Sequence, residues 1–209
     1  ALSILEPYIP VYDSKEIRKQ LIGIQQELFG FGITGVHEAG IDFDELEILK
    51  QMVDNGDLSL NIYAMLNPTK KNRVFALENG VFRLKNLSVR SFKAYVDGAL
   101  GSSGALLKKD YEDKPGYQGL CLMNPEELNE LGEFCLDVGY QLNSHGIGDS
   151  AISIILDMCS NIYNRKPDHR FRIEHAQIVD PEDLHKFGDY AVFPSVQPTH
   201  ATTDQRWVQ

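Results

Sequence analysis

The stretch Ser91–Leu107, SFKAYVDGALGSSGALL, decides the fold. Val89, Phe92, Ala94, Tyr95 and Val96 give its first part the character of a buried strand. Gly98, Gly101 and Gly104 then break regular structure, so the strand runs into a glycine-rich loop. Lys93 is a lone cation among apolar neighbours, and Asp97 follows it before the loop. A charge near the end of a buried strand is costly unless something uses it. Two later segments also end in a polar group, Gln141-Leu-Asn-Ser-His145 and Phe171-Arg-Ile-Glu-His175. One lysine and two histidines near strand ends are therefore the constellation to follow.

Outward from this stretch, helix and strand patterns alternate. Asp13 or Ser14 can cap a helix with Ile17, Leu21, Ile24 and Leu28 at helical spacing, stopped by Gly30 and Gly32. A strand over 33–39 and a helix over 44–55 follow, the helix ending at Gly56. Residues 59–66 read as a strand and 70–80 as a weak helix. Asn124-Pro-Glu-Glu127 opens a helix with cap, first-turn proline and a glutamate that can reach back. Strands over 140–145, 171–177 and 191–197 are separated by a helix through Tyr163 and a short one opened by Asp180-Pro-Glu-Asp183. Regular alternation implies parallel strands with helical crossovers. The expected fold is α/β: one domain over 1–209 that forms part of a (β/α)8 TIM-type barrel, with six parallel strands numbered two to seven. The pattern starts on a helix and stops beyond a strand, which predicts a truncated domain lacking the first and last barrel strands. The connector from Lys108 to Gly119 is long, and long connectors are usually functional or mobile.

Composition limits the partners. Lys plus Arg is 20 against 30 Asp plus Glu, a net charge of -10, which argues against nucleic acid and anionic membranes. No apolar run reaches the length of a membrane span, and the first residues lack the pattern of a signal peptide. Cys121, Cys135 and Cys159 are odd in number and far apart, so neither a disulfide framework nor a thiolate metal site is indicated. A reducing, cytoplasmic home is the expectation.

In parallel α/β folds the site lies at the carboxyl ends of the strands. His37, His145, His175 and His200 read as lying at or just beyond such ends, whereas His169 and His185 read as surface residues. A gathering of imidazoles suits a metal. Lys93 leaves three readings open: an ion pair with Asp97 or Glu174, an imine-forming nucleophile, or a carbamate made with carbon dioxide that could ligate a metal. The Gly98–Gly104 loop could cradle a phosphate through its amides, although the phosphate-loop pattern is absent. Arg172 and Glu174 share one strand face and read as a structural pair.

GITGVHEAG (32–40), KAYVDGALGSSGALL (93–107), NSHGIGDSA (143–151), FRIEHAQIVDPEDL (171–184) and SVQPTHA (195–201) together resemble the amidohydrolase superfamily, and within it the amidohydrolase-3, YtcJ-like group of metal-dependent hydrolases. The resemblance implies a distorted barrel that holds one or two divalent metals, commonly zinc, in its mouth. It implies Lys93, His145 and His175 as ligands from the fourth, fifth and sixth strands, where the family's lysine is often carbamylated with carbon dioxide. His37, Asp97, Gly98 and His200 become candidates for substrate or supporting contacts. The reaction implied is hydrolysis of a C–N bond in an amide or cyclic amide of a small molecule, by hydroxide made available at the metal. Three parts of the pattern are absent from the sequence: a His-x-His pair, the strand bearing a general-base Asp, and a β-sandwich. This chain alone is therefore expected to be inactive, and its open strand edges predict self-association. Two other readings remain: a lyase or aldolase barrel using a Lys93 imine, and a non-catalytic α/β module that binds a small ligand through the glycine loop.

Overall fold

A computed structural model describes Tyr8 and residues 13–204. Its elements are α1 (Ser14–Gly30), β1 (Gly35–Ile41), α2 (Phe43–Asn55), β2 (Asn61–Leu66), α3 (Lys70–Asn79), β3 (Phe82–Leu84), β4 (Leu87–Tyr95), α4 (Pro125–Asp137), β5 (Gln141–Gly146), α5 (Asp149–Arg165), β6 (Arg172–His175), α6 (Leu184–Asp189), β7 (Phe193–Ser195) and α7 (His200–Thr203). Six strands run parallel in the order β1-β2-β4-β5-β6-β7 and curl into a half-barrel. They correspond to the six strands expected from the sequence, so the partial TIM-type barrel stands.

The sequence reading missed β3, which runs antiparallel to the start of β4. It is only three residues long, and its tight turn uses Lys85 at a φ of 49° rather than the glycine that would advertise a hairpin. Helix signals held better. Asp13 with Glu16, and Asn124 with Glu127, form reciprocal caps, and Gly56 closes α2 in the left-handed conformation.

Register explains which side chains enter the barrel. Laterally paired residues share a face. Ile62, Ala64, Leu66, Val89, Phe92, Ala94, Leu142 and Ile173 are buried in one core with Leu46, Met52, Leu131, Ile155 and Cys159 from the helices. The opposite, inner face carries Ser91 beside Gln141, Lys93 beside Asn143 beside Arg172, and Tyr95 beside His145 beside Glu174. A bulge at Arg90 sets this division: Ala64 pairs with Val89, but Met65 pairs with Ser91. The lumen is consequently polar, unlike the branched apolar filling usual in such barrels.

Two local expectations change. The stripe on α1 is only partly used: Leu21 packs against the core, but Ile24 is exposed. The helix docks through buried Gln25, whose Oε1 accepts from the amides of Ser59 (2.7 Å) and Leu60 (3.0 Å). His169 is buried rather than on the surface. Its Nδ1 accepts from the Phe171 amide at 2.9 Å, and Nε2 lies 2.7 Å from the Tyr190 carbonyl, tying the approach to β6 to the end of α6. Among the described residues no helix is long and apolar enough to cross a membrane.

Candidate active site

The C-terminal ends of β4, β5 and β6 bring Lys93, His145 and His175 to one mouth. Lys93 is 3 % exposed. Its Nζ donates to the Ala94 carbonyl at 3.0 Å and sits 3.8 Å from the centre of the Tyr95 ring. No carboxylate among the described residues lies within ion-pairing distance of it, so the expected pairing with Asp97 or Glu174 does not form. Glu174 instead takes the Arg172 guanidinium, with Nε 2.6 Å from Oε1. Burial lowers the Lys93 amine from 10.5 to about 8, against the partial support of Glu174.

His145 and His175 meet edge to face, ring centres 4.5 Å apart. Burial, with His175 and Lys93 nearby, pushes His145 down to about 4, so it is neutral at pH 7. Its buried Nε2 has no hydrogen-bond partner among the described residues, and Asp97 Oδ1 stands 3.4 Å away. The inner-face residues Ser91 and Asn143, neighbours of Lys93 in the lumen, also have buried polar atoms without partners. His175 lies at a φ of 75°, a left-handed conformation uncommon outside glycine.

Asp97 is 1 % exposed, and its carboxylate accepts from the amides of Leu106 (3.0 Å), Ile147 (3.1 Å) and Gly148 (2.8 Å). Burial raises its pKa while these amide bonds oppose the rise. This carboxylate thus welds the long loop to the start of α5. Gly98 donates to the Gly104 carbonyl and Gly104 to that of Ala99, both at 2.9 Å. These two amides face protein acceptors, so neither is free to cradle a phosphate. Backbones pass so closely that a Cβ on Gly119 or Gly148 would lie 2.0 Å from the carbonyl oxygen of Ala105 or Leu106. Lys108 then bonds Asp180 (2.7 Å) and Asp183 (3.0 Å), while Asp183 also takes Ser153 Oγ and Lys186 (2.8 Å). This staple, unforeseen from sequence, fastens the loop to the segment after β6.

The remaining candidates divide. His200, in α7, reaches the mouth: its ring centre is 6.1 Å from that of His175, and both line a cleft of about 490 Å³ with Gln177, Val196 and Gln197. His37 does not stand at a strand end. β1 continues to Ile41, and His37 stacks on Tyr63 at 4.7 Å and meets Arg172 at 3.2 Å, on the inner face but exposed. Gly40, at a φ of 126°, is a bulge inside the strand. Gln197 was missed altogether. Its Oε1 lies 2.8 Å from His175 Nδ1 and 3.1 Å from His200 Nε2, and a polar residue lodged between two histidine motifs was the available signal.

A parallel α/β half-barrel with imidazoles and a buried amine at its strand ends is part of a TIM-type barrel with polar groups gathered at its mouth. A model of the amidohydrolase family matches residues 10–209, and the chain belongs to that family. It is 30 % identical over 226 residues to the protein LONG AFTER FAR-RED 3 of Arabidopsis thaliana, covering 98 % of this chain and 37 % of that protein. The candidate amidohydrolase YtcJ of Bacillus subtilis (strain 168) is 30 % identical over 118 residues, 56 % of this chain and 22 % of its own. An uncharacterized metal-dependent hydrolase from Pyrococcus furiosus superposes with a TM-score of 0.87 at 28 % identity, covering 99 % of this chain and 42 % of that one. The chain thus spans well under half the length of these relatives.

Proposed function

We propose that the intact protein is a metal-dependent hydrolase of C–N bonds in amides or cyclic amides, and that this chain supplies part of its metal centre. The observation that carries the reading is the buried, unpartnered Nε2 of a neutral His145 beside the His175 ring, at adjacent strand ends. Lys93 joins them as a buried amine without a carboxylate partner among the described residues. Two imidazoles and such an amine fit part of a centre. Among the described residues no group of three or more His, Cys, Asp or Glu is placed to hold a metal, so further ligands would come from outside them. A bound divalent ion, zinc in this reading, would supply hydroxide near neutral pH and polarise the scissile carbonyl. Lys93 would serve as a carbamate, with a carboxylate-like oxygen in place of the ammonium. Asp97 stands 3.4 Å from the same Nε2, on the ligating side of His145, and the welded loop walls the mouth. A general-base Asp lies outside this chain in the same reading, and the setting is cytoplasmic, consistent with three free cysteines.

Metal analysis of the intact protein, its Lys93→Ala variant and this chain alone tests the proposal. Zinc or a similar ion in the intact protein, lost with Lys93 and scarce in the isolated chain, is the expected pattern. An intact protein without metal would sink it. A second reading has its own support in the lowered, carboxylate-free amine: Lys93 as an imine-forming residue. Condensation with a carbonyl substrate would release water, and borohydride would reduce the imine to a stable secondary amine on Lys93. Mass spectrometry finding that adduct selects the second reading.

A further inference from the structure

We propose that Gln197 is a positioning residue that holds His175 in the tautomer with its proton on Nδ1, and that His200 and Asp204 in turn hold Gln197. The inference rests on the reading of His175 as a metal ligand. Its basis is a continuous chain of side chains. Asp204 Oδ2 accepts from Gln177 Nε2 at 3.0 Å and meets His200 Nδ1 at 2.7 Å. His200 Nε2 meets Gln197 Oε1 at 3.1 Å, and the same oxygen meets His175 Nδ1 at 2.8 Å. An amide oxygen only accepts, so both histidine nitrogens that face it are donors; His200, whose Nδ1 also faces the Asp204 carboxylate, then carries a proton on each nitrogen and is ion-paired with Asp204. With the proton on Nδ1, His175 Nε2 keeps a bare lone pair, and no described residue bonds it. The other nitrogen of a ligating histidine ordinarily needs such a partner to fix tautomer and ring orientation.

The backbone points the same way. His175 and Ala176 both have positive φ, 75° and 42°, at the end of β6. Two such residues in succession persist only where the surroundings over-determine them. They turn the ring off the strand toward Gln197, which sits beyond β7 and just before α7. Were the amide turned over, its NH2 group would donate to Nδ1, the proton would sit on Nε2, and the lone pair would be lost. The orientation of one amide therefore decides whether His175 can ligate.

Long-range 1H–15N correlation on metal-free intact protein, labelled with 15N-histidine, reads the tautomer directly. Wild type is expected to carry the His175 proton on Nδ1. Gln197→Glu should retain that state, because a carboxylate also only accepts, whereas Gln197→Leu should lose the preference. Circular dichroism and a thermal melt establish that both variants fold. Zinc titration should then find Gln197→Leu weaker by about 10–100-fold, with Gln197→Glu close to wild type. A wild-type proton on Nε2, or a tautomer unchanged in Gln197→Leu, overturns the proposal. If the tautomers behave as expected but no protein binds zinc, the positioning role stands and the metal reading alone falls.

Discussion

Lys93 shows what a polar lumen costs. Its amine is lowered to about 8, against 10.5 when unfolded, so between those values the unfolded chain binds more protons and stability rises with pH. Lys93→Met should therefore stabilise the metal-free protein by about 1–3 kcal/mol at pH 7, and the gain should shrink as pH climbs through 8. Thermal melts at several pH values check this; a gain independent of pH would contradict it. Asp183 runs the other way. Burial alone would raise its carboxyl, but Lys186, Ser153 and Lys108 hold it well below the usual range. Its contribution is fully present above the unfolded value near pH 4 and is lost as pH falls through the lower folded value. Asp183→Asn should cost about 2 kcal/mol at pH 7, with the difference closing below about pH 4, in urea melts. The strand-end positions of His145 and His175 were legible because each closes a strand pattern, and Lys93 stood out as a lone cation inside an apolar run. Gln197, Asp183 and buried His169 were not, since their roles depend on partners brought close only by the fold. His37 was misplaced because β1 runs on through a bulge at Gly40 to Ile41, past the Ala39 end expected from the pattern.

Among elements, the loop between β4 and α4 is the least typical. Its length and glycines announced a functional connector, but its rigidity was hidden: Asp97 finds amides across a sequence gap that no local pattern spans. Gly119→Ala and Gly148→Ala should each cost about 1–3 kcal/mol, because backbone rather than a flexible side chain stands in the way. Both should expose the loop to limited proteolysis. Gly23→Ala, on α1 with open space around it, is the control and should be neutral or slightly stabilising. Proteolysis unchanged in all three would show that the loop is not held by these contacts. The parallel strands were readable because apolar runs alternate with helical stripes. β3 was not, being too short for any period to register.

For the molecule as a whole, β1 and β7 each have one edge unpaired among the described residues. Unpaired edges offer amides and carbonyls to other chains. The 209-residue chain should therefore associate in a concentration-dependent manner on light scattering, and a constant monomer mass would argue otherwise. The barrel class was visible in the alternation of elements. Which side of the sheet holds the polar side chains was not, since a single bulge at Arg90 decides it.

The anchoring of the loop by Asp97 also sets where sequence can change without loss. Its base is fixed by a carboxylate, four crossing glycines and a staple of ions, and tolerates little. Its tip, from Lys109 to Gly116, is mostly exposed and lies beyond the Lys108 staple. A library confined to the tip should yield mostly folded variants, whereas one spread over the whole loop should yield mostly failures. The same division predicts where related proteins would diverge: new specificities are most readily drafted on the overhang, while the hinge that carries it stays as it is.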